Sequence, residues 1–266
     1  MQAPHARTAC AHMTAPVSRR TCLGAALGLL GTATGSAWGQ AAGVTLAQGA
    51  ASPAWPTQIR LDFEVSGRYG ALPVHASGRL HWDGLETGHY DATWALRIPL
   101  LGGRTQRSRG RLLPEGLQPL EFSDQTRRLR RLELDWPAMH YRHWRDGKVE
   151  RSGPLQSGAQ DQLSLQFQLA WLMHQGQVRA ETVWTLPVLS AAGVEPWRMR
   201  VRANETIETP AGSINAWKIE RQTKAPEESR LSLWLAERLH YLPARILLQE
   251  PDGDWADQRL KQWPRA

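Results

Sequence analysis

Strict alternation between apolar and charged side chains marks the run Ile59-Arg60-Leu61-Asp62-Phe63-Glu64-Val65. Successive side chains of a β-strand point to opposite faces, so the four apolar residues share one face and the three charged residues share the other. A strand with this pattern has one face in a core and the other toward water. The run therefore predicts a half-buried β-strand.

Similar strand signals recur thirteen times toward the C-terminus. Short segments rich in Gly, Asp and Pro divide them, among them Asp83-Gly84, Gly102-Gly103 and Asp252-Gly253, and these residue types favour turns. Successive strands joined by short turns pair antiparallel, which predicts a meander. The further predicted strands are Val74–Trp82, His89–Ile98, Arg107–Leu113, Leu117–Ser123, Leu132–Trp136, Met139–Arg145, Lys148–Arg151, Thr182–Leu186, Trp197–Glu205, Ile214–Gln222, Ser229–Ala236, Ala244–Gln249 and Trp255–Trp263.

One segment, Asp161–Gln175, has helical spacing instead. Asp161 can cap its first turn, and one face of the helix would carry Leu163, Phe167, Ala170, Trp171 and His174. A single helix beside so many strands has to cover an open face of the sheet. We therefore expect a mainly β fold, a single strongly curved antiparallel sheet or open β-barrel meander with one amphipathic helix packed on its concave side.

The N-terminal segment has the three regions of a secretory signal. Arg19 and Arg20 precede an uncharged apolar stretch that is too short to span a bilayer permanently, and Ala37-Trp38-Gly39 follows it. We expect cleavage after Gly39, a flexible leader over residues 40–57 and a single β-rich domain over residues 58–266. The signal resembles a twin-arginine export signal, and ordinary Sec export is the open alternative. Both routes imply a periplasmic protein without a transmembrane segment in the mature chain.

Cysteine usage and charge narrow the class of the mature protein. Cys10 and Cys22 both lie in the predicted signal, so no disulfide, thiol nucleophile or thiolate metal site is expected after cleavage. Residues 40–266 carry 29 Lys or Arg against 25 Asp or Glu, a net charge of +4. This charge is too small to indicate a nucleic-acid partner.

Motifs that carry chemistry are missing from the sequence. It has no Gly-x-Ser-x-Gly elbow, no Gly-rich phosphate loop and no His-Glu-x-x-His. His140 and His143 are three residues apart in a predicted strand, so their rings should point to opposite faces and cannot share a metal. We expect no cofactor and no metal. The sequence does not decide whether the protein is an enzyme, but the missing motifs favour a non-enzymatic protein.

Arg127-Arg128-Leu129-Arg130-Arg131 is the densest basic run. A solvated strand edge that discourages aggregation between sheets is one interpretation of it. The other interpretation is a basic patch of Arg127, Arg128, Arg130 and Arg131 that binds an anionic envelope partner.

Several stretches resemble a known bacterial family. They are Gly158-Ala159-Gln160-Asp161-Gln162-Leu163-Ser164, Thr209-Pro210-Ala211-Gly212, Trp234-Leu235-Ala236 and Tyr241-Leu242-Pro243-Ala244-Arg245. Together they resemble the family of domain of unknown function 3108, a resemblance that covers nearly all of the predicted mature chain. The hairpin from Trp234 to Gly253 is also similar to the closing hairpin of periplasmic lipoprotein carriers, of the lipoprotein localisation factor type. That likeness implies a curved antiparallel sheet around an apolar cavity for acyl chains.

Two functional hypotheses from different classes remain. The first is a binding or carrier-like protein for an amphiphilic or lipid-like molecule, with the candidate ligand-binding residues Gln160, Asp161, Phe167, Trp171, Trp234 and Tyr241. Capping of the helix is the structural alternative for Gln160 and Asp161. The second hypothesis is a structural or assembly factor that binds another envelope protein through a strand edge or the basic patch. A filled sheet interior would favour the second hypothesis over the first.

Overall fold

A computed structural model of the chain describes residues 55–85, 87–99, 102–176, 179–190 and 193–264. The predicted signal and most of the predicted leader lie outside these ranges. Fourteen strands and one α-helix make up the described part, and each strand overlaps one of the predicted segments. The elements are β1 (Gln58–Tyr69), β2 (Leu72–Leu85), β3 (His89–Ile98), β4 (Gly102–Leu113), β5 (Gly116–Gln125), β6 (Leu129–Asp135), β7 (His140–Arg145), β8 (Lys148–Pro154), α1 (Ser164–His174), β9 (Val183–Ser190), β10 (Gly193–Thr209), β11 (Gly212–Gln222), β12 (Arg230–Ala236), β13 (Leu242–Gln249) and β14 (Trp255–Leu260).

All fourteen strands belong to one antiparallel sheet. Each strand pairs with its neighbours in sequence, except that β1 also pairs with β14 and that β8 and β9 do not pair with each other. The order across the sheet is therefore β8 to β1, followed by β14 to β9. The predicted mainly β fold with a curved antiparallel meander is confirmed. The helix lies in the connection between the two edge strands, β8 and β9.

The period of two seen in the sequence selects the side of the sheet that faces the core. Leu61, Phe63 and Val65 are buried, whereas the alternate positions of β1 are exposed or half-buried. Leu61 lies opposite Leu80 of β2, and Leu80 lies opposite Trp94 of β3. The buried row thus continues from strand to strand, and its apolar side chains form the concave side.

The helix is enclosed more completely than an amphipathic helix on an open sheet would be. Leu165, Phe167, Leu169, Ala170 and Met173 are all buried, and they lie on several sides of the helix. The physical reason is the curvature of the sheet, because a sheet that bends around a helix contacts more than one of its faces. Among the described residues, no helix has the length and apolarity needed to cross a membrane.

The last residues of the predicted leader pack against the sheet. The ring of Trp55 contacts those of Trp82 and Trp171, with centroid distances of 5.8 and 5.3 Å. The Trp82 Nε1–H group donates a hydrogen bond to the Pro56 carbonyl oxygen at 2.9 Å. The structure thus places residues 55–57 against the folded domain rather than in a flexible leader, because the Trp55 indole buries apolar surface there.

Candidate functional site

Asp161 holds the start of the helix. Its Oδ1 atom accepts hydrogen bonds from the backbone N–H groups of Leu163 and Ser164, each at 2.8 Å. In return, the backbone N–H of Asp161 donates to Ser164 Oγ at 2.9 Å. These reciprocal bonds satisfy donors that a helix start leaves free. The geometry therefore supports the capping interpretation of Asp161.

Behind the cap, the same carboxyl joins a buried polar chain. Ser108 Oγ donates to Asp161 Oδ2 at 2.6 Å, and Ser108 Oγ lies 3.0 Å from the Tyr90 hydroxyl. Burial raises the pKa of Asp161 to about 6, although its hydrogen bonds oppose the shift. Burial also raises the pKa of Tyr90. Asp161 is fully buried, and each of its carboxyl oxygens has a donor within the protein, so the structure shows it in a structural role.

Gln160 is also a structural residue. Its Nε2–H group donates to the Leu117 carbonyl oxygen at 2.8 Å, and the Leu117 N–H donates to Gln168 Oε1 at 2.7 Å. The two glutamines thus bind both backbone groups of Leu117 and tie the helix region to β5. The backbone of Gln160 bonds to the edge of β9, through Pro187 and Leu189 at 2.8 and 2.7 Å.

The aromatic candidates Phe167 and Trp171 belong to one cluster in the core. Phe167 is fully buried and lies 4.8 Å from Trp82 between ring centroids. Trp171 is half-buried, and its neighbours include Trp55 and His174. This cluster fills the concave side beside the helix, so Phe167 acts as core.

Trp234 lies in β12 and Tyr241 follows it in the chain, and both pack in the same apolar cluster as Phe167. Leu233, the neighbour of Trp234, packs in a second apolar cluster, so alternation puts the two side chains on opposite faces of β12. The Trp234 Nε1–H donates to Glu205 at 2.5 Å, and the Arg245 guanidinium lies 4.4 Å from the Trp234 ring. Tyr241 follows a short 3-10 turn with φ of 60° and is half-buried. The structure thus buries Phe167 and Trp234 in one apolar cluster with Trp171 and Tyr241 packed against it, whereas Gln160 and Asp161 make polar contacts at the start of the helix.

The predicted basic patch is divided by the strand period. Arg127 and Arg128 are exposed in the turn before β6. Arg131 pairs with Glu133 at 2.8 Å. Arg130 has the parity of the buried residue Leu132 and points to the concave side. Neighbouring positions in a strand face opposite ways, so the run presents two surfaces rather than one.

A small polar pocket on the concave side was missed by the sequence analysis. It has a volume of about 70 Å³, and residues of β4, β5, β6, β7 and β9 line it. Each of these strands contributes at least one polar residue, and the alternation of buried positions was the available signal. Its lining includes Arg104, Asp124, Arg130, His143, Gln162 and Ser190.

Charge in this pocket is only partly compensated. Arg104 binds both Asp124 oxygens, each at 2.7 Å. His143 is 3% exposed, and its Nδ1 atom makes no hydrogen bond. Glu150 Oε2 lies 3.5 Å from that atom. Burial lowers the pKa of His143, with Arg130 among the cations that add to the shift.

A second, larger groove of about 350 Å³ is lined mainly by residues of β6 and β7 and of the turn between them. Trp136 lines it and donates from Nε1 to the Pro119 carbonyl oxygen at 2.7 Å. The charges of the groove are mixed, with Arg111 and Arg142 beside Glu133 and Asp135. In the described ranges, no group of three or more His, Cys, Asp or Glu side chains is arranged to hold a metal ion.

Net charge is concentrated beside these pockets. Residues 127–154, from the turn before β6 to the end of β8, carry eight Lys or Arg and four Asp or Glu. The rest of residues 40–266 carries 21 residues of each sign. The whole net charge of +4 therefore comes from the segment that contains β6, β7 and the edge strand β8.

Comparison with known proteins gives a family and a fold. A crystal structure of a β-barrel-like protein of domain of unknown function DUF1849 from Brucella abortus is similar, with a TM-score of 0.51 and 11% identity over 77% of this chain and 96% of that one. At this identity the likeness shows the fold alone. No curated protein matches the chain. The model of the family described as "Protein of unknown function (DUF3108)" matches residues 69–261. The resemblance inferred from the sequence is thereby confirmed, and the chain belongs to the DUF3108 family.

Proposed function

We propose that this protein is an exported, non-enzymatic binding protein of the cell envelope. In this proposal, an acidic, extended segment of another envelope protein adds to the free edge of β8. The main observation behind the proposal is that the unpaired edge of β8 lies in the same part of the sheet as the net positive charge of the domain.

The edge offers backbone groups to a partner. β8 pairs only with β7 in the described sheet, and residues 148–152 are all exposed. A strand edge of this kind presents a row of N–H and C=O groups to which an extended peptide can bond. At its end β8 comes close to β10, and a Cβ atom on Gly193, the first residue of β10, would lie 3.2 Å from the hydroxyl of Tyr141, which pairs with Gly153 of β8. The available length is therefore the first part of β8.

The charge around β8 selects an acidic partner. Lys148 and Arg151 lie in the strand itself, and Arg128 is exposed in a nearby turn. Asp146 lies 3.8 Å from Arg128, but both side chains are largely exposed to water. Water screens such a pair, so it neutralises little of the charge of Arg128. Long-range attraction at such a surface speeds the encounter with a segment of opposite charge. The same charges would disfavour pairing between the β8 edges of two copies, because like charges would be brought together.

The interior gives the amphiphile carrier less support. Such a carrier needs an apolar chamber, whereas the side chains of α1 that face the sheet are buried in its apolar core. The inner pocket of about 70 Å³ is polar. Export is supported by the basic residues, apolar stretch and small residues before position 40.

The proposal is tested by photo-crosslinking in the native host. Benzoylphenylalanine replaces Val149, an exposed residue of β8, and a matched control carries it at Asn215, an exposed residue of the interior strand β11. We expect a discrete adduct with an acidic envelope protein from position 149 only. The adduct should be lost in a Lys148→Glu, Arg151→Glu variant, because that variant reverses the charge of the edge.

Two results contradict the proposal. The first is the same adduct pattern at positions 149 and 215, and the second is no adduct from position 149. Fractionation of the same cells tests export separately, since mature protein in the cytosol would contradict a periplasmic location.

A further inference from the structure

We propose that the polar pocket on the concave side binds a single oxyanion group, a carboxylate or a phosphate carried by a small molecule. We call it the Arg130 pocket, lined by Arg104, Phe122, Asp124, Arg130, Arg131, Leu132, His143, Gln162, Leu189 and Ser190; the guanidinium of Arg131 is paired with Glu133. Its lining residues come from β4, β5, β6, β7, β9 and Gln162 and not from β8, so this inference does not depend on the proposed function.

The pocket has one cation whose charge is not neutralised. Arg104 and Asp124 form a bidentate pair and cancel each other. Arg145 is paired with Glu150 at 2.7 Å. In the described part of the chain, no carboxylate lies within ion-pair distance of Arg130, although the sheet register puts Arg130 opposite both Asp124 and Arg145. A guanidinium in this setting is suited to a carboxylate or phosphate, which it can bind through two parallel hydrogen bonds.

A buried polar atom points to the same ligand. His143 lies on the strand next to Arg130 and is almost wholly buried, and its Nδ1 atom makes no hydrogen bond, although Glu150 Oε2 lies 3.5 Å away. Native proteins seldom leave such an atom unpaired, because its desolvation is not offset. An oxyanion between His143 and Arg130 would accept a hydrogen bond from each of them. Four charged neighbours face this ring, Glu150, Arg130, Arg145 and Arg151.

The size and walls of the pocket limit what can enter. Its volume of about 70 Å³ accommodates a few waters or one small anionic group. Phe122, Leu132 and Leu189 form apolar walls, so a second charged group would lose its hydration without gaining a partner. The Arg104 side chain is 35% exposed, which marks the side through which the rest of a ligand would leave the pocket.

Titration of the full domain with inorganic phosphate and with acetate, at constant ionic strength, tests the inference. Backbone and imidazole shifts are followed by NMR. We expect saturable chemical-shift changes centred on Arg130 and His143 for at least one anion. The anion that binds more tightly indicates whether the natural ligand carries a phosphate or a carboxylate. Arg130→Gln should weaken the binding about ten-fold or more, because it removes a charge-assisted pair. Arg128→Gln, in the exposed turn of the same basic run, is the matched control and should bind as the wild type does.

Loss of folding is separated from loss of binding by circular dichroism and by the thermal midpoint of each variant. His143→Gln gives a second variant, which should weaken binding without removing the guanidinium. The inference is overturned if neither anion gives saturable shifts, or if Arg128→Gln weakens binding as much as Arg130→Gln. The second result would mean general attraction to the basic surface.

Discussion

At the scale of single residues, burial decides what a polar side chain can do. Asp161 and His143 are both titratable and buried, but their surroundings differ. Every oxygen of the Asp161 carboxyl has a donor, two from the backbone and one from Ser108. The Nδ1 atom of His143 has no such bond. A satisfied group stabilises the fold, whereas an unsatisfied group beside a cation is a candidate for binding.

Asp161 should make stability depend on pH. Its pKa is raised from 3.8 to about 6 in the folded chain, so the folded state holds the proton more tightly than the unfolded state. The resulting stability is present below about pH 4 and is lost as the pH rises through 6, a decline of about 3 kcal/mol. Asp161→Asn keeps the cap oxygen and cannot ionise, so it should abolish this decline. Urea unfolding at several pH values between 4 and 7 measures it.

Glu64→Gln is the control for this experiment, because Glu64 is exposed on β1. This variant should keep the decline, since it leaves Asp161 in place. An unchanged pH profile in Asp161→Asn would show that another group is responsible.

At the scale of elements, the helix depends on the sheet around it. Its eleven residues are too few to form a stable helix alone in water. The cap at Asp161 and the bond between Leu117 and Gln168 anchor it at different turns. Gly116, which precedes Leu117, has φ of 126° and leaves no room for a Cβ atom beside Gln168. The turn between β4 and β5 is therefore shaped to receive the helix.

Gln168→Leu should destabilise the protein by about 1–3 kcal/mol, because the buried Leu117 N–H would lose its acceptor. Gln166→Leu is the matched control on the same helix, since Gln166 Oε1 makes no hydrogen bond. We expect the control to stay near the wild type or become more stable. Urea denaturation followed by circular dichroism compares the two. Equal losses in both variants would contradict the role of Gln168 as an anchor.

At the scale of the whole molecule, the pairing of the first strand with the last organises the sheet. Phe63 lies opposite Leu260, and the Lys261 N–H donates to the Asp62 carbonyl oxygen at 2.8 Å. The two ends of the domain are thus side by side, with β1 in the interior of the sheet. This pairing connects residues that are about as far apart in the sequence as the domain allows.

A circular permutant tests this arrangement. A Gly and Ser linker of about ten residues joins residue 264 to residue 55, and new ends are opened in the turn at Asp146-Gly147. Every strand pair is retained, so we expect the native circular dichroism spectrum and cooperative thermal unfolding. A second permutant with the same linker and new ends inside β1, at Asp62, should lose both. Similar behaviour of the two permutants would contradict the pairing of β1 with β14.

Local patterns determined much of this structure by themselves. The alternation in Ile59–Val65 and its later counterparts located all fourteen strands, because the side-chain period of a strand is a property of its own backbone. Asp161 was recognised as a helix cap for the same reason, since the groups it binds are within three residues. The basic run was also visible, although its division between two faces needed the register of β6.

Only the tertiary structure decided which distant residues meet. The pairing of β1 with β14 and the enclosure of α1 both depend on how far the sheet curves. The Arg130 pocket joins residues from five strands and Gln162, which lies before α1. Such contacts have no sequence period, because they arise from the summed twist and bending of many strand pairs rather than from any single one.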